Sequence, residues 1–277
     1  MSKKQGNLQT MKSQMSQSRS FILLFTILML LSACQPQATD TPVADEILPT
    51  EAAGIATQPP AQAEALPTQI SADINLDPAL AQNEDSLMVS QYLYEGLVRI
   101  GTDGEPHPAL AESWVISDDQ LDYIFTLRST AMFSDGTQIT PDIVTDNFNR
   151  WFDPQSPLRG SGDYATWGRI FLGFHGEKGP DDRAKSSVDG IQKVDVNTVL
   201  IHLNRPVPDL LKYLADPAFA ILNPAALASG TYGGQDSAII SSGPYVISSW
   251  TDTELVLGPN PNYWDNKPTG ELKFTYR

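Results

Sequence analysis

The stretch "GPNPNYWDNKPTGELKFTYR", residues 258–277, sets the fold problem. From Glu271 onward Leu272, Phe274 and Tyr276 alternate with Glu271, Lys273 and Thr275, the period of a half-buried strand. A strand has no stability alone, so this one needs a partner elsewhere in the chain or a continuation beyond it. Just upstream, "GPYVISSWTDTELVLGPNP" reads as two strands around a polar turn, a hairpin.

Working back, the same grammar recurs. "VDGIQKVDVNTVLIHLN" reads as a second hairpin with Asp195 and Asn197 near its turn and Val199, Ile201 and Leu203 facing inward. "SWVISDDQLDYIFTLRS" reads as a third, turning at Ser117-Asp118-Asp119 and burying Leu121, Tyr123, Phe125 and Leu127. Between them "SDGTQIT" is a turn. Thr140 caps a helix with Pro141 in its first position, and the helix stops near Phe152, before Asp153-Pro154. "VPDLLKYLAD" gives a short helix, "LVRIG" a strand, and Asp85 to Glu95 a helix closed by Gly96. Antiparallel hairpins mixed with helices point to a mixed α/β (α+β) fold rather than an alternating βαβ sheet.

The amino end differs in kind. "MSKKQGNLQTMKSQMSQSRS" carries Lys3, Lys4, Lys12 and Arg19 and no acid, and an apolar run follows from Phe21 to Leu31. That run is shorter than the roughly 20 residues a membrane span takes. A basic start, a short apolar run and small residues make an export signal, residues 1–33. The run closes on Leu31-Ser32-Ala33-Cys34, which resembles the lipobox of bacterial lipoproteins and implies a lipid on Cys34. Residues 34–68 are rich in Pro, Ala, Thr and Gln without aromatics or period, the composition of a disordered tether. Folding is expected from Gln69 to Arg277.

Composition excludes several functions. The formal charge is −15 and becomes −19 once the leader takes its four cations away. Such acidity argues against a nucleic-acid partner, whose phosphates need a basic surface. Cys34 is the single cysteine, so no thiolate metal site and no internal disulfide can form. His107, His175 and His202 show no ligand spacing, and nothing calls for a metal or a cofactor. Neither G-x-S-x-G nor H-E-x-x-H occurs, so no hydrolase is indicated, and no G-x-x-x-x-G-K-[ST] supports nucleotide hydrolysis.

Six blocks in order carry a resemblance: "LDPAL" at 76–80, "LYEGLVR" at 93–99, "HPALAESW" at 107–114, "YIFTLRS" at 123–129, "FSDGTQITPDIV" at 133–144, and "SGPYVISSW" at 242–250 with "NPNYWDNKP" at 260–268. They resemble the family 5 solute-binding proteins of ABC importers, the oligopeptide, dipeptide and nickel type, from about Ser71 to Arg277. The resemblance implies a lobe like that of type II periplasmic binding proteins with an inserted subdomain at roughly 95–204. It places the last strand just before the chain crosses to a second lobe, which is missing from this sequence. A longer gene product or a second chain would complete the clamp.

The same resemblance implies the site. Gln82, Asn83 and Glu84 align with a loop that lines the peptide site in oligopeptide-binding members. Their polar groups suit peptide amides or an amine, and also suit a helix N-terminus. Relatives carry an aromatic residue after "SP", where this chain has Leu158 and Arg159. Arg159 suits a carboxylate. Tyr164 and Trp167 can supply an aromatic wall, or pack as the core face of a helix with Ile170, Phe171 and Phe174. The implied function is a lipid-anchored, exported receptor delivering peptides or a similar small solute to permease and ATPase subunits. The alternative is a lone-lobe lipoprotein with a sensing or structural role.

Overall fold

The computed structural model describes residues 67–277. The expectations for the leader, for Cys34 and for all but the end of the tether lie outside these residues.

Two four-stranded sheets organise the described chain. The first has the order β1 (Thr68–Ile70), β10 (Leu272–Tyr276), β9 (Glu254–Pro259), β8 (Tyr245–Trp250). The terminal strand thus finds two partners. It runs antiparallel to β9, with Phe274 opposite Leu255, and parallel to β1, with Phe274 opposite Thr68. Its alternation does what the sequence requires: Phe274, Leu255, Leu257 and Ile70 are all buried on one face. Helix α1 (Glu84–Leu93) contributes Val89 and Leu93 to the same core. Arg277 and Asp85 fasten the assembly. The guanidinium donates to the Gln69 carbonyl at 3.1 Å and to the Asp85 carboxylate at 2.9 Å, which also accepts the Ser71 N–H at 2.7 Å.

The second sheet is antiparallel throughout, in the order β4 (Ala111–Ile116), β5 (Asp122–Leu127), β7 (Thr198–Leu203), β6 (Val188–Lys193). Tyr123, Phe125, Leu127, Val199, Ile201 and Leu203 are its buried face, as their period of two demands. Helix α2 (Pro141–Phe152) packs across β6 and β7. Thr140 caps it by accepting the Ile143 N–H, Pro141 opens it, and the chain becomes extended at Asp153. A two-stranded ribbon, β2 (Val98–Ile100) with β3 (Pro106–Pro108), leads into this sheet. Three short helices complete the fold: α3 (Ala165–Phe171), α4 (Leu210–Leu214) and α5 (Pro224–Leu227).

One boundary differs from expectation. Helix α1 ends at Leu93, and Tyr94 is already extended at φ −134°, so Gly96 closes nothing. A Cβ on Gly96 would stand 3.1 Å from the Leu214 carbonyl oxygen and 3.3 Å from that of Val98. Glycine is there to let the chain pass close to α4 rather than to turn it.

Candidate functional site

The loop from Leu76 to Glu84 is built by its own polar groups. Asn75 Oδ1 accepts the Asp77 N–H at 2.9 Å, and the Asp77 carbonyl accepts the Leu80 N–H at 3.0 Å. Asn83 then caps α1: its Oδ1 accepts the Ser86 N–H at 2.8 Å and its Nδ2 donates to the Asp73 carbonyl at 2.7 Å. Glu84 and Asp85 follow in the first turn, where the helix dipole favours them. Of the three candidates, Asn83 is therefore committed to the helix start, while the side chains of Gln82 and Glu84 are exposed.

The second candidate loop lies beyond α2. Leu158 is half-buried against the core of the first sheet. Arg159 turns back on α2: its Nη1 donates to the carbonyls of Arg150 at 3.2 Å and Trp151 at 2.7 Å, orphan acceptors of the last helical turn. Its guanidinium carbon lies 4.3 Å from the centre of the Tyr164 ring and 4.5 Å from that of Phe174, a stacked arrangement. Burial holds its pKa below the ordinary arginine value. The residue read as a carboxylate clamp thus spends much of its donor capacity on its own backbone.

Tyr164 and Trp167 are each only 1% exposed. Trp167 sits among Phe148, Trp151, Phe152, Phe171 and Phe219, with ring centres 4.4–6.4 Å away, and its Nε1 donates to the Gly173 carbonyl at 3.0 Å. Tyr164 donates its hydroxyl to the Arg159 carbonyl. Of the two readings open to this pair, the geometry matches core packing: neither ring offers a face to a solute.

Two buried polar pairs were invisible in the sequence. Asp77 and Arg150, each 2% exposed, form an ion pair through Oδ2 and Nη2, and Arg150 Nε donates to the Leu158 carbonyl at 3.1 Å. Burial pushes the Asp77 carboxyl up, against the downward pull of Arg150 beside it. Tyr232 donates to the Tyr94 hydroxyl at 2.8 Å, and burial raises both phenols. Tyr232 lies beside Gly233, whose φ of +102° excludes a side chain, and a Cβ there would stand 2.8 Å from the Asp77 nitrogen. Both pairs join segments far apart in the chain, so no local pattern announces them.

At the carboxyl end of α1 lies an open cleft of about 490 Å³, lined in part by Ser90, Glu95, Arg99 and Lys212. Glu95 accepts from the Tyr263 hydroxyl and from Trp264 Nε1 at 3.1 Å, which fixes "NPNYWDNKP" as packing against "LYEGLVR". Among the described residues no group of three or more His, Cys, Asp or Glu is placed to hold a metal ion, and no helix is long and apolar enough to cross a membrane.

Residues 105–276 match the family model described as bacterial extracellular solute-binding proteins, family 5 Middle. Among known proteins, the chain is 32% identical over 206 residues to the periplasmic murein peptide-binding protein MppA of Escherichia coli, and 31% identical over 206 residues to the periplasmic oligopeptide-binding protein OppA of the same organism. Each match takes in 73% of this chain and 37% of the relative. Among solved structures, the unliganded open form of MppA matches with a TM-score of 0.63 at 28% identity, covering 78% of this chain and 42% of that one. Listeria monocytogenes OppA bound to peptide matches with a TM-score of 0.63 at 25% identity, covering 76% and 42%. The chain therefore spans well under half the length of these relatives. Its mixed α/β architecture is that of part of a type II periplasmic binding protein, and the chain belongs to the bacterial extracellular solute-binding proteins of family 5.

Proposed function

We propose that this chain is the receptor component of an ABC importer, taking up peptides or a similar small solute, and held at the outer face of a bacterial membrane by lipid on Cys34. The observation that carries the reading is the position of Gln82 and Glu84. They are exposed polar side chains at the start of α1, where Asn83 and not they caps the Ser86 N–H, so their groups can meet a ligand's amides or ammonium. The likeness to MppA and OppA, both named for the peptides they bind, supports the class of solute. Permease and ATPase subunits would be the partners.

In this reading the tether begins at residue 34 and ends just before β1, one residue short of the boundary expected from composition because Thr68 already pairs with Phe274. The rest of the chain to Arg277 contributes the amino-terminal part of the binding domain, and roughly 95–204 form its inserted subdomain. Leu158 offers its half-buried side chain beside the site. Arg159 orders the loop and leaves at most its free edge for a carboxylate. Tyr164 and Trp167 support the loop from inside, because their burial denies them a ligand contact.

Two experiments test the proposal. Replacing Cys34 with serine should move the exported chain from the membrane fraction to the soluble fraction, because lipidation needs the thiol and the chains provide the anchor; retention on membranes by the variant would refute the anchor. Titration calorimetry of the 277-residue chain with short peptides should show weak, saturable binding that Glu84→Ala reduces, weak because pockets normally enclose most of a ligand. Heat from free amino acids alone, with none from peptides, would refute the peptide reading.

A further inference from the structure

We propose that Asp77 and Arg150 are positioning residues: a buried ion pair that locks the two candidate solute loops into one rigid unit without touching solute. This rests on the reading of those loops as solute-facing.

The pair occupies the point where the two loops meet. Asp77 opens the turn that leads to Gln82, through its N–H on Asn75 and its carbonyl under Leu80. Arg150 governs the other loop twice. Its Nε holds the Leu158 carbonyl, and its own carbonyl receives the Arg159 guanidinium. The ion pair between them bridges 73 positions of sequence. A packing contact runs alongside: Gly162 lies so close to Leu80 that a Cβ on it would run into the Leu80 side chain.

Stability is a poor explanation for such a pair. Both partners are stripped of water, and apolar residues of similar volume often serve the fold as well or better. Here the cost is compounded, because Arg150 Nη1 has no hydrogen-bond partner among the described residues, and such a buried group carries a penalty. What an apolar pair cannot supply is direction. A bond from Oδ2 to Nη2, with Nε fixed on a backbone carbonyl, sets the angle between the two loops, which side-chain packing leaves soft. A binding face needs that definition, since a loosened support degrades a site that is otherwise complete.

The test compares three versions of the 277-residue chain by hydrogen–deuterium exchange, thermal melting and peptide titration. The double variant Asp77→Val/Arg150→Met removes both charges and roughly keeps the summed volume. It should melt close to the parent, yet exchange about tenfold faster in 78–84 and 156–164 with both sheets unchanged, the mark of local rather than global opening. Peptide affinity should fall about tenfold. Arg150→Lys keeps a cation for Asp77 but loses the fork that reaches Leu158. Its exchange should rise in 156–164 and stay at the parental level in 78–84. Unchanged exchange in both loops of the double variant would overturn the proposal, as would exchange raised uniformly across the sheets, which marks a purely structural pair. If the parent binds no peptide, the peptide reading fails on that ground, while the exchange pattern still decides whether the pair sets the loops.

Discussion

Trp167 and Glu84 stand for the two kinds of residue that motif reading puts side by side. Trp167 is enclosed by five aromatic rings and has its N–H satisfied, so its replacement by alanine should cost about 3–5 kcal/mol, as for other large core truncations. Urea denaturation reads this directly, and a loss below about 1 kcal/mol would show the indole to be less embedded than described. Glu95 carries a pH prediction. Burial raises its carboxyl, against the lowering effect of the hydrogen bonds from Tyr263 and Trp264 and of the Arg99 charge. A folded pKa above the unfolded one means that the stability this group contributes is full below the ordinary glutamate range and is lost as pH rises through the raised value. Glu95→Gln should remove that slope, whatever constant offset the substitution adds; melting curves across that interval check it, and an unaltered slope would assign the pH dependence to other groups. Residues of this sort resist sequence reading. Arg150 at the end of α2 looks like a surface cation that suits the helix dipole, and only Asp77, far away in the chain, makes it a buried ion.

At the scale of elements, what was legible was what is local. Thr140, Pro141 and Asp153-Pro154 carry the start and stop of α2 within the segment itself, and both came out where the signals put them. The three hairpins followed from alternation and turn residues in the same way. Strand β1 escaped because it is three residues long and its partner β10 lies some 200 positions on. Strand β3 escaped because Pro106 and Pro108 read as breakers, although a short ribbon tolerates them. The end of α1 was misplaced because a glycine near a helix terminus looks like a cap, and only the approach of α4 shows that it is a spacer. Gly243 plays a comparable part at the start of β8. A Cβ there would stand 2.8 Å from backbone atoms of Leu93 and Tyr94. Gly243→Ala should cost about 1–3 kcal/mol, the usual range for overpacking against an unyielding neighbour. An unaltered melting temperature would show that α1 and the hairpin yield to each other.

For the molecule as a whole, the resemblance supplied the architecture and the family, and the alternation within single strands supplied which side chains face inward. The candidate site was only partly legible. Gln82 and Glu84 are open to solvent as a binding face requires, whereas Tyr164, Trp167 and much of Arg159 are absorbed by the interior. The aromatic spacing that suggested a ligand wall is the same spacing that builds a core, and burial alone separates the two. In the proposed function the exposed start of α1 and its neighbouring loop form one half of a peptide site. The most direct measurement is a residue-resolved NMR titration of the 277-residue chain with a short peptide. Saturable amide shifts are expected, centred on 82–84 and extending to 158–159, with both sheets undisturbed and the response diminished in Glu84→Ala. Shifts centred on the cleft beyond α1, at Ser90, Glu95 and Arg99, or no saturable shifts at millimolar peptide, would contradict that function.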